Sequence, residues 1–251
     1  MRSYLIKLCK SAIGKNLFAN FYGVGVNLFN QILLVPFYLS FWGVEKYGDW
    51  IVLTAISTMF TMSDIGLNTV TANRFIIKFT EGNKQECTSL LTNNFILLLF
   101  TALIAIGGVI VFSFSFDIVK VIGLHVTGMN TARYVFILLT VQIFTGMFSA
   151  VINAVYRANS MTSKATFLDN SGRLLEALIL FFGLLLKISL EVIVTFYLLP
   201  RLIILVYKQI DTKQLFPYIF RFSDFNFNFL DIYVISSRKC SYITGIYTSC
   251  E

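Results

Sequence analysis

Six apolar runs, each about 20 residues long, constrain this chain more than any other feature of its sequence. They cover residues 17–42, 49–71, 90–114, 133–155, 165–186 and 188–207. Runs of this length match the hydrocarbon core of a bilayer, and they lack the period-two alternation that membrane β-strands show. The sequence therefore predicts an all-α, polytopic integral membrane protein with about six transmembrane helices.

The composition argues against a soluble globular domain. Hydrophobic residues make up 57% of the chain and charged residues 13%, whereas soluble domains carry about 25% charged residues. The net charge of +7 comes from basic residues that mostly flank the apolar runs, so it favours anionic lipid over nucleic acid as a partner. The four cysteines and the single histidine show no metal-ligand spacing. No enzyme motif is present, and we expect no metal, no cofactor and no catalytic activity.

The basic residues also predict the orientation of the bundle. In the loops on the side opposite the N-terminus, the only basic residues are Lys46, Lys120, Arg133 and Lys187, which places the N-terminus in the cytoplasm. The predicted organisation is a cytoplasmic segment at 1–16, six transmembrane helices at 17–207, and a cytoplasmic juxtamembrane segment and tail at 208–251. The tail loses the apolar pattern, from which we expect a frameshift or truncation near residue 230.

The first predicted helix carries a stripe of amide side chains that fall within an arc of about 100°, opposite a face of Leu, Val and Phe. These amides are Asn16, Asn20, Asn27, Asn30 and Gln31. Such a stripe indicates either the wall of a water-filled cavity or hydrogen bonding to neighbouring helices, and both interpretations stay open. Pro36 predicts a kink in the outer third of the same helix.

Three ionisable residues lie close together in the fifth predicted helix. Asp169, Arg173 and Glu176 are spaced i, i+4 and i+7, so Arg173 can pair with both acids along one helix face. Glu176 would lie near the bilayer midplane, where a charged group is costly and needs a reason to be present. The spacing is compatible with a neutralised structural triad, but it favours a cationic or proton-titrating group in a transport path.

Two further ionisable residues lie next to helix-breaking residues. Asp64 comes just before Gly66, which predicts a break in the second helix with Asp64 capping the following turn. Binding of a coupling ion is the alternative role for Asp64. Arg201 follows Pro200 in the sixth helix and either snorkels to the cytoplasmic interface, which its position favours, or meets an anionic substrate.

Several short segments resemble the N-terminal region of bacterial polysaccharide flippases, the O-antigen and capsule repeat-unit exporters of the MOP superfamily. The segments are Asn16-Leu17-Phe18-Ala19-Asn20, the polar helix with Pro36, Tyr47-Gly48-Asp49-Trp50 and Ser63-Asp64-Ile65-Gly66-Leu67. The resemblance covers about residues 10–220. It implies one lobe of a MOP/MATE-like transporter, because family members have two such lobes around a central cavity.

The resemblance also implies an activity, a location and partners. The protein would move an undecaprenyl-diphosphate-linked oligosaccharide across the bacterial cytoplasmic (inner) membrane, driven by a proton or sodium gradient. The implied partners are the lipid bilayer, the lipid-linked oligosaccharide, the polysaccharide polymerase and assembly machinery, and a second copy or separate second half of the transporter. The substrate-path candidates are then Asn27, Asn30, Gln31, Arg173 and Arg201, and the ion-coupling candidates are Asp64, Asp169 and Glu176.

Three other functions fit an apolar chain of this kind. A multidrug antiporter of the same superfamily would favour carboxylates in the cavity, whereas the fifth helix here offers an arginine. A polytopic membrane enzyme of O-antigen or capsule assembly is expected to carry a large periplasmic loop or an acidic motif, but the outer loop at about 115–132 holds only Asp117. A purely structural membrane subunit would leave the charges of the fifth helix without a role.

Overall fold

The computed structural model describes residues 2–64 and 66–216, with side chains from residue 14 onward, and these residues form helices and short connections without a β-strand. The helices are α1 (Arg2–Leu28), α2 (Val35–Met59), α3 (Leu67–Thr80), α4 (Lys84–Ser115), α5 (Ile118–Ile122), α6 (Met129–Ala158), α7 (Thr162–Leu185) and α8 (Leu190–Leu215). The all-α prediction is confirmed. The tail beyond residue 216, with the frameshift expected near residue 230, lies outside the described residues.

Four helical stretches in the described part of the chain are long and apolar enough to cross a membrane. They are Gly14–Asp64, Lys84–Ser115, Met129–Ala158 and Leu190–Leu215. Large apolar side chains, such as those of Phe18 and Phe100, remain exposed on the outside of the bundle, where lipid rather than water would solvate them. The fold is therefore that of an all-α polytopic membrane protein. The predicted run at 165–186 forms α7, but its three ionisable residues set it apart from the four apolar stretches.

The stretch Gly14–Asp64 is not one uninterrupted helix. Gly43 has non-helical backbone angles, φ 75° and ψ 173°, a region that glycine enters without steric cost. This break separates the predicted runs at 17–42 and 49–71. The second run does not continue to residue 71 as one helix, because a 3₁₀ turn at Phe60–Asp64 ends it and α3 starts after Gly66, whose φ is 77°. The break predicted at Asp64 is confirmed.

A π-helical turn at Phe29–Leu34 joins α1 to α2. Pro36 lies in the first turn of α2, where a missing N–H is tolerated. In a continuous α-helix its ring would clash with the carbonyl of Ile32, and a widened i→i+5 turn relieves that clash. The distortion expected from Pro36 therefore lies in the turn before the proline, and it is not a kink in the outer third of the predicted helix.

Helix α6 forms the centre of the bundle and contacts α2, α3, α4, α7 and α8, while α1 packs on α7. The two ends of the bundle are tied together differently. At the end near Gly43, the Asp49 carboxylate accepts hydrogen bonds of 2.7–3.0 Å from the backbone N–H groups of His125, Val126 and Thr127 and from the Thr127 hydroxyl. At the end near Gly82, Phe75 and Phe79 pack against Phe216. Hydrogen bonds therefore stabilise the bundle at one end, and aromatic packing stabilises it at the other.

Candidate functional site: a polar cleft with two arginines

A polar cleft lies between α2, α6, α7, α8 and the junction of α1 with α2. It consists of two cavities of about 480 and 460 Å³. Both are lined by Thr54, Arg173, Tyr197 and Arg201, so they meet at these four side chains. We call the larger one, which reaches Asp64, the Asp64 chamber, and the other one, which reaches the α1–α2 junction, the Asn30 chamber.

The Asn30 chamber is lined by the C-terminal part of the predicted polar stripe, Asn27, Asn30 and Gln31. The N-terminal part of the stripe is in a different setting. Near Gly23, the Asn170 side chain of α7 donates a 3.1 Å hydrogen bond to the Ala19 carbonyl, and a Cβ added at Gly23 would lie only 2.4 Å from the Asn170 amide nitrogen. The stripe thus lines a cavity at 27–31, while the hydrogen bond near Gly23 is donated by α7 to the α1 backbone and involves no amide of the stripe.

The Asp64 chamber is rich in hydroxyl groups from α2 and from the 3₁₀ turn that follows it. They belong to Thr54, Ser57, Thr58 and Thr61. Asp64 lies at the end of this chamber, and its Oδ1 accepts a 2.9 Å hydrogen bond from the backbone N–H of Asn68. The predicted capping role of Asp64 is therefore confirmed, while its binding of a coupling ion stays a prediction.

The two arginines of the cleft have different surroundings. Arg201 pairs with Glu176, with Nε 2.5 Å and Nη2 3.3 Å from the carboxylate oxygens. Arg173 is exposed in both chambers and has no ion-pair partner among residues 14–64 and 66–216. Two expectations are therefore wrong: Arg173 does not pair with Asp169 and Glu176 along α7, and Arg201 does not snorkel away from the bundle.

The charges that sequence reasoning placed within α7 instead pair across the hairpin of α7 and α8. Glu176 binds Arg201, Asp169 binds Lys208 at 2.6 Å, and Lys164 binds Asp211 at 2.7 Å. We call these three pairs the ion-pair ladder. Its rungs follow one another along the antiparallel helices because residues equally distant from the intervening turn face each other.

Lys208 forms the most enclosed rung of the ladder, with 0% of its side chain exposed. Its ammonium donates to Ser149 Oγ at 3.0 Å, Asn153 Oδ1 at 2.8 Å and Asp169 Oδ1 at 2.6 Å. An ammonium has three N–H donors, so all of its hydrogen-bonding capacity is used. Complete pairing is what allows a charge to stay buried between apolar helices.

The third rung lies at the end of the hairpin remote from its turn, and α6 contributes to it. The Tyr156 hydroxyl donates a 2.6 Å hydrogen bond to Asp211, which also accepts from Lys164. Hydrogen bonding to Asp211 raises the pKa of the Lys164 ammonium above its usual value, so this lysine is charged at neutral pH. Sequence reasoning counted Lys164 and Lys208 only among the basic residues of the cytoplasmic side and gave Asp211 no role, although the distances of all three residues from the turn near residue 188 indicate their pairing.

The cleft thus brings together seven of the eight predicted site residues. They are Asn27, Asn30, Gln31, Asp64, Arg173, Glu176 and Arg201. Asp169 is placed beside the cleft, bound to Lys208. No group of three or more metal-ligating side chains occurs within the described ranges.

Comparison with protein-family models, curated proteins and solved structures gives no match to this chain. The class that the fold defines is an all-α polytopic membrane protein with a polar, arginine-containing cleft between its helices. The resemblance to polysaccharide flippases stays a prediction from the sequence.

Proposed function

We propose that this chain is a transport lobe of a polysaccharide flippase. It moves an undecaprenyl-diphosphate-linked oligosaccharide across a bacterial cytoplasmic membrane, with its N-terminus in the cytoplasm and a second copy or second lobe completing the cavity. The observation that carries the proposal is Arg173, a cation exposed in the cleft and lacking an acidic partner among the described residues. An arginine with free N–H groups binds phosphate oxygens through two parallel hydrogen bonds.

Other features of the cleft suit the remaining parts of such a substrate. The amides of Asn27, Asn30 and Gln31 offer donors and acceptors for sugar hydroxyls. Each chamber has a volume within the range of roughly 300–1,000 Å³ that is typical of small-molecule sites. The apolar exterior of the bundle would leave the lipid chain in the bilayer while the head group enters the cleft.

Coupling to a proton or sodium gradient is part of the proposal. Of the three ion-coupling candidates, Asp169 and Glu176 are each bound to a cation of α8. Asp64 lines the cleft and has no cationic partner among the described residues. Asp64 is therefore the first candidate for a group that binds the coupling ion.

Binding is the first test, because it does not require a second lobe. The purified protein would be titrated with a short-chain polyprenyl diphosphate disaccharide, and with a neutral glycolipid of the same sugar as the ligand control. We expect Arg173→Ala to weaken diphosphate binding about tenfold or more, the effect of losing hydrogen bonds to a charged group. The matched protein control is Arg157→Ala, which removes an exposed arginine that does not line the cleft.

Translocation of the fluorescent lipid-linked oligosaccharide in proteoliposomes is the second test. Transport that is lost in Arg173→Ala and kept in Arg157→Ala would support the proposal. Diphosphate and neutral glycolipid binding with equal affinity would overturn the assigned role of Arg173. Transport of cationic drugs in place of the lipid would favour the multidrug antiporter.

A further inference from the structure

We infer that α8 keeps Arg173 free for an anionic ligand by binding both carboxylates that would otherwise neutralise it. Lys208 and Arg201 are then positioning residues for Arg173, through Asp169 and Glu176. The inference deepens the proposed function and rests on it only for the identity of the anion as a diphosphate.

Arg173 and the cations of α8 are alternative partners for the carboxylates of Asp169 and Glu176. Asp169 and Glu176 lie four residues before and three residues after Arg173, and charges at these spacings are neighbours on a helix surface. In the structure both carboxylates bind the other side of the hairpin. Asp169 accepts from Lys208 at 2.6 Å and from the Asn153 amide at 3.0 Å, and both oxygens of Glu176 accept from Arg201.

Burial decides the competition in favour of α8. Lys208 is fully buried and only 5% of the Glu176 side chain is exposed, whereas Arg173 is exposed in the cleft. Ion pairs strengthen as water is excluded, and pairs that involve an exposed side chain are screened. The carboxylates therefore stay with α8, and the positive charge in excess among these five groups resides on Arg173.

Two glycines allow the helices to come close enough for these pairs. A Cβ added at Gly172 of α7 would lie 2.5 Å from the Cδ1 atom of Ile204 on α8. A Cβ added at Gly146 of α6 would lie 3.2 Å from Nη1 of Arg201. The first glycine permits the close packing of α7 on α8, and the second provides space for the guanidinium that binds Glu176.

The test measures the chemical reactivity of Arg173 and needs no substrate. Purified protein would react with p-hydroxyphenylglyoxal, which modifies free guanidinium groups, and the rate at Arg173 would be followed by peptide mass spectrometry. Exposed Arg157 is the internal reference. The variants are Lys208→Gln, which releases Asp169 but keeps hydrogen-bond donors near Ser149 and Asn153, and the double variant Lys208→Gln/Asp169→Asn.

We expect Lys208→Gln to slow the modification of Arg173 about two- to fivefold, the range that corresponds to partly exposed ion pairs. The double variant should restore the wild-type rate, because no released carboxylate remains. The modification rate of Arg157 should be the same in the wild type and in both variants. An unchanged rate at Arg173 in folded Lys208→Gln, or a double variant that stays slow, would overturn the inference.

A second pair of variants covers the case in which Lys208→Gln does not fold. Arg201→Gln releases Glu176 and should slow the modification of Arg173 by a similar factor. The double variant Arg201→Gln/Glu176→Gln should restore the wild-type modification rate. Failure of that restoration would also overturn the inference. If the rates change as expected while diphosphate binding is unaffected by Arg173→Ala, α8 does control Arg173 and the proposed function is wrong.

Discussion

Two helical hairpins of this protein place their charges in opposite settings. In the α3–α4 hairpin, Lys78 pairs with Glu81 at 3.0 Å and with Glu86 at 2.9 Å, and 35% or more of each side chain is exposed. In the α7–α8 hairpin the charges lie between the helices, with Lys208 fully buried. Both hairpins are antiparallel and tightly connected, so their connectivity does not cause the difference.

The contact between α3 and α4 is mainly apolar, built from Phe75, Cys87 and Leu91, which are 0–2% exposed, and one 2.7 Å hydrogen bond from the Asn94 amide to Asn68 Oδ1 crosses it. Apolar packing specifies the facing residues of two helices less strictly than paired charges do. The ion-pair ladder, in contrast, fixes which residue of α7 faces which residue of α8, and it does so beside the cleft. The partner of a buried charge therefore determines which residues of two helices face each other. An exposed pair contributes to solubility and little to stability.

The largest expected effect is that of Lys208→Met. The substitution leaves Asp169, whose side chain is 29% exposed, without its cation, and we expect the free energy of unfolding to fall by about 1.5–3 kcal/mol, the cost of losing a hydrogen bond to a charged group. Thermal unfolding of the detergent-solubilised protein, followed by size-exclusion chromatography, measures it. The double variant Lys208→Met/Asp169→Asn should recover most of the loss. A double variant as unstable as the single one would show that lost packing, not the unpaired charge, dominates.

The next effect tests how closely the hairpin with the ladder is packed. A Cβ added at Gly183 would lie 2.7 Å from Cγ1 of Ile193 and 3.6 Å from its Cγ2, and β-branched Ile193 has little rotamer freedom to move away. We expect Gly183→Ala to destabilise the protein by about 1–3 kcal/mol. The matched control is Gly108→Ala in α4, where an added Cβ meets nothing within 4 Å. Equal thermal stability of the two variants would contradict close packing of α7 on α8.

The positions of the helices could be predicted from the sequence because they depend on a local property of the chain. The run at 90–114 lies entirely inside α4, and each of the other five runs also corresponds to helical structure. Apolar length is a local property of the chain, and a bilayer accepts helices as the usual way to satisfy the backbone. The break at Gly43 falls between the predicted runs at 17–42 and 49–71, whereas the break at Gly66 falls inside the second run and was predicted from Asp64 and Gly66.

The candidate site could be predicted by residue type but not by partner. The ionisable residues of α7 were recognised because a charge inside an apolar run stands out. Their pairing was assigned from i, i+4 spacing, which considers one helix alone, while burial between two helices favoured pairing across the hairpin. Asp169 and Lys208 lie almost equally far along the chain from the turn near residue 188, as do Glu176 and Arg201. Pairing residues by that distance would have predicted the ladder.

A smaller effect is expected at the outermost rung of the ladder. The Lys164 side chain is 39% exposed, and Asp211 keeps its hydrogen bond from Tyr156 when the lysine is removed. We expect Lys164→Met to cost about 0.5–1 kcal/mol, because an exposed pair is screened by solvent. Thermal unfolding at low and high salt measures this, and the difference from wild type should shrink at high salt. A loss as large as that of Lys208→Met would show that burial does not set how much each rung contributes to stability.

The smallest effect is expected for the charges of the α3–α4 hairpin. Lys78→Met removes the cation shared by Glu81 and Glu86, both of which remain exposed to solvent. The thermal unfolding midpoint should match that of wild type, because the apolar contact of Phe75 with Cys87 and Leu91 is untouched and solvent stabilises the two carboxylates. A midpoint lowered as much as in Lys164→Met would mean that exposed pairs hold this hairpin together. The two hairpins would then differ in the depth of their charges but not in their dependence on them.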